Sequence, residues 1–272
     1  HMNFTVLIPL YKNNVASQVE EALTSVLGQS RPAEQVMVLL DGPVPADLSA
    51  TLDRFAAKGV RVESFPVNRG LPTILNEGLR LAETDWVFRM DGDDVATPTR
   101  FEKQAAFLSD HPEVKLLGGQ VSEFADIPSN SVLTRKVPQT YDEILRFSRS
   151  RNPFNHPTVA YDRRAALSIG GYDERLVDFE DYDLWTRMLQ AGMRAHNLPD
   201  ILVHMRTGDD FVLRRSGLRY LKREWAFLRK LRRRKYIGLP LFCLFIVIRL
   251  PLRLLPQSLL RLLYRRFLRP PC

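Results

Sequence analysis

The chain has 272 residues, 45% of them apolar and 26% charged, which excludes global disorder and allows one large domain with an appendage or two small ones. Its two cysteines, Cys243 and Cys272, have no metal-type spacing; they exclude a disulfide framework and fit a reducing compartment. The net charge of +8 hides a split: residues 214–272 hold 17 Lys+Arg and one acid, Glu224, whereas residues 1–213 hold 22 Lys+Arg and 30 Asp+Glu. A mildly acidic body is thus followed by a tail suited to a polyanion, either a membrane surface or a nucleic acid.

The opening apolar run is too short for a secretory signal and contains Pro9, so residues 5–10 read as a buried strand. Residues 15–27 follow with helical spacing, Val19, Ala22, Leu23, Val26 and Leu27 on one stripe. Strands are predicted at 35–40, 60–65 and 86–90, alternating with helices at 48–57, 71–82 and 99–108. This alternation is the signal for a mostly parallel sheet with crossover helices. The middle is less legible: strands at 114–118 and 121–124 and a helix at 141–150 are expected, then a helix over 178–190 with Leu184, Trp185, Met188 and Leu189 on its apolar face.

The tail begins with a basic helix over 217–233. An apolar stretch, 236–248, follows and is broken by Gly238 and Pro240; it is shorter than the roughly 20 residues of a spanning helix. A further mixed helix is expected at 259–268. The tail reads as a segment lying on a bilayer or dipping into it, the alternative being an ordinary basic packing segment.

Two acidic clusters carry the chemistry. Met90-Asp91-Gly92-Asp93-Asp94 follows an apolar strand directly. Residues two apart in extended chain point the same way, so Asp91 and Asp93 can face one site, and open α/β sheets bind ligands at the carboxyl ends of their strands. Such hard oxygen ligands suit Mg²⁺ or Mn²⁺ together with phosphate oxygens; the alternative is an acidic loop capping the next helix. The second cluster, Asp178-Phe179-Glu180-Asp181-Tyr182-Asp183, opens a helix. There the alternatives are a capping box between Asp178 and Asp181, or a carboxylate that stays ionised and serves as general base.

In this order the motifs resemble family 2 glycosyltransferases of the GT-A fold. The matching segments are Val6-Leu7-Ile8-Pro9-Leu10-Tyr11-Lys12-Asn13, Ser25-Val26-Leu27-Gly28-Gln29, Val38-Leu39-Leu40-Asp41-Gly42-Pro43, Asn68-Arg69-Gly70-Leu71 with Leu75-Asn76-Glu77-Gly78-Leu79, and Asp91-Gly92-Asp93-Asp94 with Pro98, Arg100 and Gln104. Asn155-His156-Pro157, Gly170-Gly171-Tyr172 and Glu180-Asp181-Tyr182-Asp183-Leu184-Trp185 complete the match over about residues 3–206. The Asp-Gly-Pro variant and the basic tail are similar to the bacterial subgroup that builds capsule, exopolysaccharide and O-antigen units.

The resemblance implies an α/β GT-A fold, with a catalytic domain over 1–213 and a basic helical membrane-associating segment over 214–272. It also implies roles. Pro9, Tyr11 and Asn13 line the nucleotide base pocket, and Asp41 bonds the base, commonly uracil. Asn68, Arg69 and Gly70 lie near the nucleotide, supported by Asn76. Asp91 sits by the ribose and donor sugar, and Asp93 holds Mn²⁺ or Mg²⁺. Asp181 is the base, and Glu180 orients it or binds acceptor; Trp185 and Arg187 support the site. Two departures stand out: a single Asp41 where many members have two acids, and Thr207 where many place a metal-binding His after a late Arg. His204 is the substitute candidate for the metal; His156 is structural or lines the acceptor site, and His111 and His196 are assigned to the surface or loops.

The implied reaction is an inverting transfer from a nucleotide-diphosphate sugar, a UDP-sugar by preference, to a lipid-linked saccharide. The expected place is the cytoplasmic face of a bacterial inner membrane, with a peripheral anionic-membrane contact through 214–272 and no nucleic-acid partner. The competing readings are a sugar-phosphate nucleotidyltransferase, for which Leu10-Tyr11-Lys12-Asn13 lacks the Gly-rich basic loop, and a non-enzymatic nucleic-acid-binding protein, which leaves the aspartates unexplained.

Overall fold

A computed structural model describes residues 2–125, 127–130, 133–207 and 217–254. It divides into two compact units, residues 1–206 and 207–272. The first begins β1 (Phe4–Leu10), α1 (Ala16–Leu27), β2 (Gln35–Asp41), α2 (Ala46–Ala56), β3 (Arg61–Phe65), α3 (Leu71–Leu81) and β4 (Trp86–Arg89), all within a few residues of the predicted bounds. It continues with β5 (Val95–Ala96), α4 (Arg100–Asp110), β6 (Val114–Phe124), β7 (Leu133–Arg135), α5 (Tyr141–Ser148), β8 (Ala160–Asp162), α6 (Arg163–Ser168), α7 (Glu180–Gln190) and β9 (Arg194–Arg206).

The strands form one mixed sheet in the order β3-β2-β1-β4-β8-β6-β9-β5, with β7 added beside β6. The β3-β2-β1-β4 half is parallel. β1, β2 and β4 are buried on both faces, which explains their near-continuous apolar runs, whereas β3 at the sheet edge is only partly buried. Along β1, Phe4, Val6, Ile8 and Leu10 enter one core with Val19 and Leu23 of α1, Leu52 of α2 and Phe101 of α4. Leu7 faces the other way, into a second core with Leu75 and Leu79 of α3 and Leu184 and Trp185 of α7. The period of two in the strand thus sorts helices onto the two faces. Each fully buried Leu or Val contributes roughly 1.5–3 kcal/mol.

The far half departs from the sequence reading. The strands expected at 114–118 and 121–124 are one eleven-residue strand, β6. The elements β8, α6 and β9 were not predicted. β9 hides itself because Pro199 and several polar residues interrupt its pattern, and it is held by parallel pairing along β6 with three register shifts. The helix expected from 178 starts at Glu180, because Phe179 adopts a left-handed conformation (φ 66°) and blocks earlier helical turns.

The second unit holds α8 (Leu218–Arg233) and α9 (Leu239–Leu254). They pack on each other, with the rings of Trp225 and Phe242 at 5.6 Å. α9 has 16 residues, a length of about 24 Å at 1.5 Å per residue. Among the described residues no helix is long and apolar enough to cross a membrane. The helix expected at 259–268 lies outside the described residues.

Candidate active site

The parallel strands deliver their C-terminal ends to one edge of the sheet, where the expected donor residues gather. Asp41, at the end of β2, is 5% exposed. Its Oδ1 accepts the Arg69 amide at 2.6 Å and its Oδ2 the Gly70 amide at 2.9 Å, while Asn68 Nδ2 donates back to the Asp41 carbonyl at 3.2 Å. Gly42 permits this closeness: at φ 86°, a Cβ there would stand 2.9 Å from the Asn68 amide nitrogen. Asp41, Asn68, Arg69 and Gly70 therefore form one structured loop, and both Asp41 carboxylate oxygens bond the backbone of that loop.

Asn76 behaves similarly. It is buried on α3, takes the Tyr172 amide on its Oδ1 at 2.8 Å, and donates its Nδ2 to the Tyr172 carbonyl and to Glu174, both at 2.9 Å. It pins the Gly170-Gly171-Tyr172 turn, so any support it gives a nucleotide is indirect. Pro9 is half-buried, whereas Tyr11 and Asn13 are exposed on the turn after β1. That turn touches the acidic cluster: a Cβ at Gly92 would fall 2.1 Å from Leu10 Cδ2. Glycine thus leaves room for the buried Leu10 side chain against the Asp91–Asp93 turn.

Two buried arginines shape that backbone. Arg89 is 1% exposed; its Nη2 donates to Asp91 Oδ1 at 2.6 Å and its Nη1 to the Met90 carbonyl. Arg100 Nη2 donates to the Arg89 carbonyl at 2.7 Å, and its Nε to Gln104 at 3.0 Å. Burial lowers the Arg100 pKa to about 9, with Arg89 adding to the effect. From β9, the Arg206 amide donates to Asp94 Oδ1 at 2.8 Å and its Nε to the Asp93 carbonyl at 3.0 Å. Sequence reasoning assigned no role to Arg89 or Arg206; an arginine beside an acidic turn was the available signal.

The three carboxyls crowd one another. Burial, then the charge of Asp91, pushes Asp93 up to about 6. Asp94 is raised well above the usual range by burial, then by Asp91 and Asp93, and its Oδ2 is buried without a hydrogen-bond partner. An added cation relieves that repulsion, so the donor set fits a hard divalent ion. Among the described residues, however, no three His, Cys, Asp or Glu side chains converge on a ready-made cage. His204 pairs across the sheet with Val95, one residue beyond Asp94, and its Nδ1 meets Ser122 Oγ at 2.5 Å. Burial lowers its pKa and favours the neutral ring. Mg²⁺ and Mn²⁺ commonly use one or two carboxylates and complete their shell with phosphate oxygens and water, so a partial donor set is chemically sufficient.

The second acidic cluster differs from the capping reading. The N-cap of α7 is Phe179, with no side-chain cap, so the Asp178–Asp181 capping box is absent. A non-glycine residue in the left-handed region stores strain, and such residues cluster at functional sites. Asp181 Oδ2 accepts Asn152 Nδ2 at 2.7 Å and its Oδ1 accepts the Tyr182 amide at 2.7 Å. Asn152 was missed; it lies just before the Asn155-His156-Pro157 motif. Glu180 is 8% exposed, and burial, then Asp181, pushes its pKa up to about 8, correcting the expectation that helix-start carboxylates here all stay ionised at neutral pH. Glu180 is therefore a hydrogen-bond donor near neutrality.

Behind both clusters lies an aromatic wall. Trp185 is fully buried against Phe154, His156, Tyr161 and Tyr172. His156 Nε2 and Tyr161 Oη each stand 3.2 Å from Tyr172 Oη. Burial, then Arg89, drives the His156 pKa well down. Arg187 bonds Asp183 at 2.8 Å and the Ile169 carbonyl at 2.9 Å, a supporting role. His111 and His196, assigned to the surface or loops, stack on Phe107 at 4.0 and 4.6 Å, and His196 lies on β9.

The model of the family described as glycosyl transferase family 2 matches residues 5–170. Relatives include an uncharacterized glycosyltransferase of Haemophilus influenzae, 41% identical over 98% of this chain and 100% of that protein. The amylovoran biosynthesis glycosyltransferase AmsE of Erwinia amylovora is 35% identical, over 97% and 98%. The UDP-Gal:alpha-D-GlcNAc-diphosphoundecaprenol beta-1,3-galactosyltransferase of Escherichia coli is 32% identical, over 98% and 96%. Among solved structures, S. aureus TarS 1–349 in complex with UDP-GlcNAc has a TM-score of 0.66 at 19% identity, covering 85% of this chain and 66% of that one. The mannosyltransferase PcManGT from Pyrobaculum calidifontis, in complex with GDP-Man and Mn²⁺, has 0.64 at 18%, covering 96% and 74%. The chain has the GT-A fold and belongs to glycosyl transferase family 2: it is a glycosyltransferase.

Proposed function

We propose that this enzyme transfers a sugar, with inversion, from a nucleoside-diphosphate donor to a hydroxyl of a lipid-linked saccharide in bacterial surface polysaccharide synthesis. The observation that carries the reading is the pair of acidic clusters in opposite condition. The aspartates at the end of β4 crowd together with too little positive charge, whereas Asp181 is held by two N–H donors. Arg89 joins the two, bonding Asp91 and acting electrostatically on Glu180. The relatives' UDP- and GDP-sugar ligands support the donor class, UDP foremost, and the E. coli relative's name supports the acceptor class.

In this mechanism the acceptor oxygen attacks the anomeric carbon, the bond from that carbon to the donor phosphate breaks, and Asp181 takes the acceptor proton. Asn152 and the Tyr182 amide hold the receiving carboxylate in place. Glu180, protonated near neutrality, donates a hydrogen bond to an acceptor oxygen or to Asp181. Pro9, Tyr11 and Asn13, with the Asp41–Gly70 loop, bound the nucleotide. Asp93 and Asp91 would hold Mn²⁺ or Mg²⁺, with His204 as a further candidate, and the ion when bound neutralises charge on the departing diphosphate.

The site of action is the cytoplasmic face of the inner membrane, with 214–272 as the contact. α8 exposes Lys222, Arg229 and Arg233, and Lys235 follows it; α9 exposes Leu239, Leu244, Val247 and Ile248. Cationic and apolar side chains together suit an anionic interface. Co-flotation with phosphatidylglycerol vesicles should fail for R229E/R233E/K235E, and equal flotation of variant and parent would remove the membrane claim. For the reaction, donors are screened across UDP-, GDP- and TDP-sugars with Mn²⁺. Asp181→Asn and Asp93→Ala should each lower turnover by at least about a hundredfold. Near-normal turnover of purified D181N would refute the base assignment.

A further inference from the structure

We infer that the loop after α5, through Arg149 and Arg151, is the subsite for a diphosphate group carried by the acceptor. The inference rests on the acceptor reading above and adds the residues that recognise it. Arg146-Phe147-Ser148-Arg149-Ser150-Arg151 packs three arginines into six residues of a body that is otherwise net acidic. Arg146 is partly matched by Glu143 one turn earlier, whose carboxyl it helps to lower. Arg149 and Arg151 are exposed, and among the described residues neither side chain has an acidic or hydrogen-bonding partner.

The loop is not adrift. Ser150 and Arg151 both donate their amides to the Phe147 carbonyl, at 3.0 and 2.9 Å. The Ser148 carbonyl accepts Tyr182 Oη at 2.7 Å, and Asn152 Nδ2 reaches Asp181 Oδ2 at 2.7 Å. The loop is therefore tied at two points to the first turn of α7, and Arg151 is the chain neighbour of the residue that holds the base. An acceptor that brings a hydroxyl to Asp181 therefore arrives beside this loop, which Asn152 joins to Asp181.

Electrostatics then selects the ligand. A diphosphate approaching the start of α7 meets Asp178, Glu180 and Asp181 and needs local positive charge to offset them. The other arginines nearby are engaged: Arg89 with Asp91, Arg175 with Asp173, and Arg187 with Asp183. Arg149 and Arg151 remain, and the guanidinium fork matches phosphate oxygens two at a time.

The test uses the full chain with its donor site filled by UDP and Mn²⁺, and octyl diphosphate as the probe, measured by calorimetry. R149Q/R151Q should bind octyl diphosphate about tenfold or more weakly than the parent, with UDP affinity and melting temperature unchanged. Equal octyl diphosphate affinity in the two proteins, with UDP still bound, would overturn the subsite and leave the donor reading intact. If the parent bound octyl diphosphate but no nucleoside diphosphate, the donor reading would fall, while an arginine-dependent loss would still uphold the subsite. A parallel arm uses phosphatidylglycerol vesicles: an equal loss of vesicle binding in the variant would assign the arginines to the lipid surface and overturn the inference.

Discussion

Glu180 offers a test of the site that needs no substrate. Its carboxyl is buried beside Asp181 and Asp178, and it keeps its proton to about pH 8 instead of the usual 4.5. The folded chain therefore binds this proton more tightly than the unfolded chain does. The resulting contribution to stability is fully present below about 4.5, is lost progressively as pH rises, and is gone above about 8, where the fold carries a buried charge. At 1.36 kcal/mol for each pH unit between the two values, the change amounts to about 5 kcal/mol. Glu180→Gln mimics the protonated side chain and cannot ionise. Chelator-treated E180Q should therefore gain stability relative to the parent between pH 5 and 9, and the two should converge toward their acid difference below pH 5. Urea unfolding at pH 5, 7 and 9 measures this directly. A parent-to-variant difference that stays constant from pH 5 to 9 would refute the claim that Glu180 is a buried, protonated group, and with it the argument that leaves Asp181 as base.

Three further outcomes follow from the same geometry. Asn152→Leu should lower kcat by about tenfold to a hundredfold while leaving donor KM nearly unchanged, because only the orientation of Asp181 is lost; a matching rise in donor KM would argue against this. Asn76→Ala removes three hydrogen bonds to Tyr172 and Glu174, and should cost about 2–4 kcal/mol, read as a melting temperature lower by roughly 5–15 °C. Arg89→Met should destabilise the metal-free protein by about 1–3 kcal/mol, since the partly exposed Asp91 and the Met90 carbonyl lose a charged donor; a melting temperature equal to that of the parent would show that the ion pair contributes nothing.

The parallel half of the fold was legible because strands buried on both faces must be apolar throughout and their crossover helices must be amphipathic. Both signals are local. β8 and β9 were not legible because their strand state comes from pairing: three residues of β8 bridge β4 and β6, and β9 tolerates Pro199 because β6 supplies its ladder with register shifts. The carboxylates of the site were readable as clusters, since crowded acids at a strand end or helix start are visible in one dimension. Their different protonation was not, because it depends on burial. Asn152 lies 29 positions from Asp181, and no pattern in the chain connects them. The capping box failed for a related reason. The spacing of Asp178 and Asp181 was right, but the left-handed Phe179 moved the helix start.

Arg89 explains why the two clusters can coexist in one small volume. A guanidinium that is 1% exposed is expensive to bury, and its Nε has no hydrogen-bond partner. For stability alone, apolar side chains in place of both Arg89 and its partner Asp91 would serve as well or better. Yet the charge of Arg89 lowers Asp93, Asp94 and Glu180 together, and it acts on His156, Tyr161 and Tyr172 behind them. It offsets part of the repulsion without relieving it, since Asp93 and Asp94 remain raised. With Arg100 and Arg206 beside it, Arg89 offsets enough charge for the acidic turn to fold and too little to satisfy it. The remaining imbalance is what would draw a divalent ion and its diphosphate to the end of β4, while Asp181 is held by Asn152 and the Tyr182 amide.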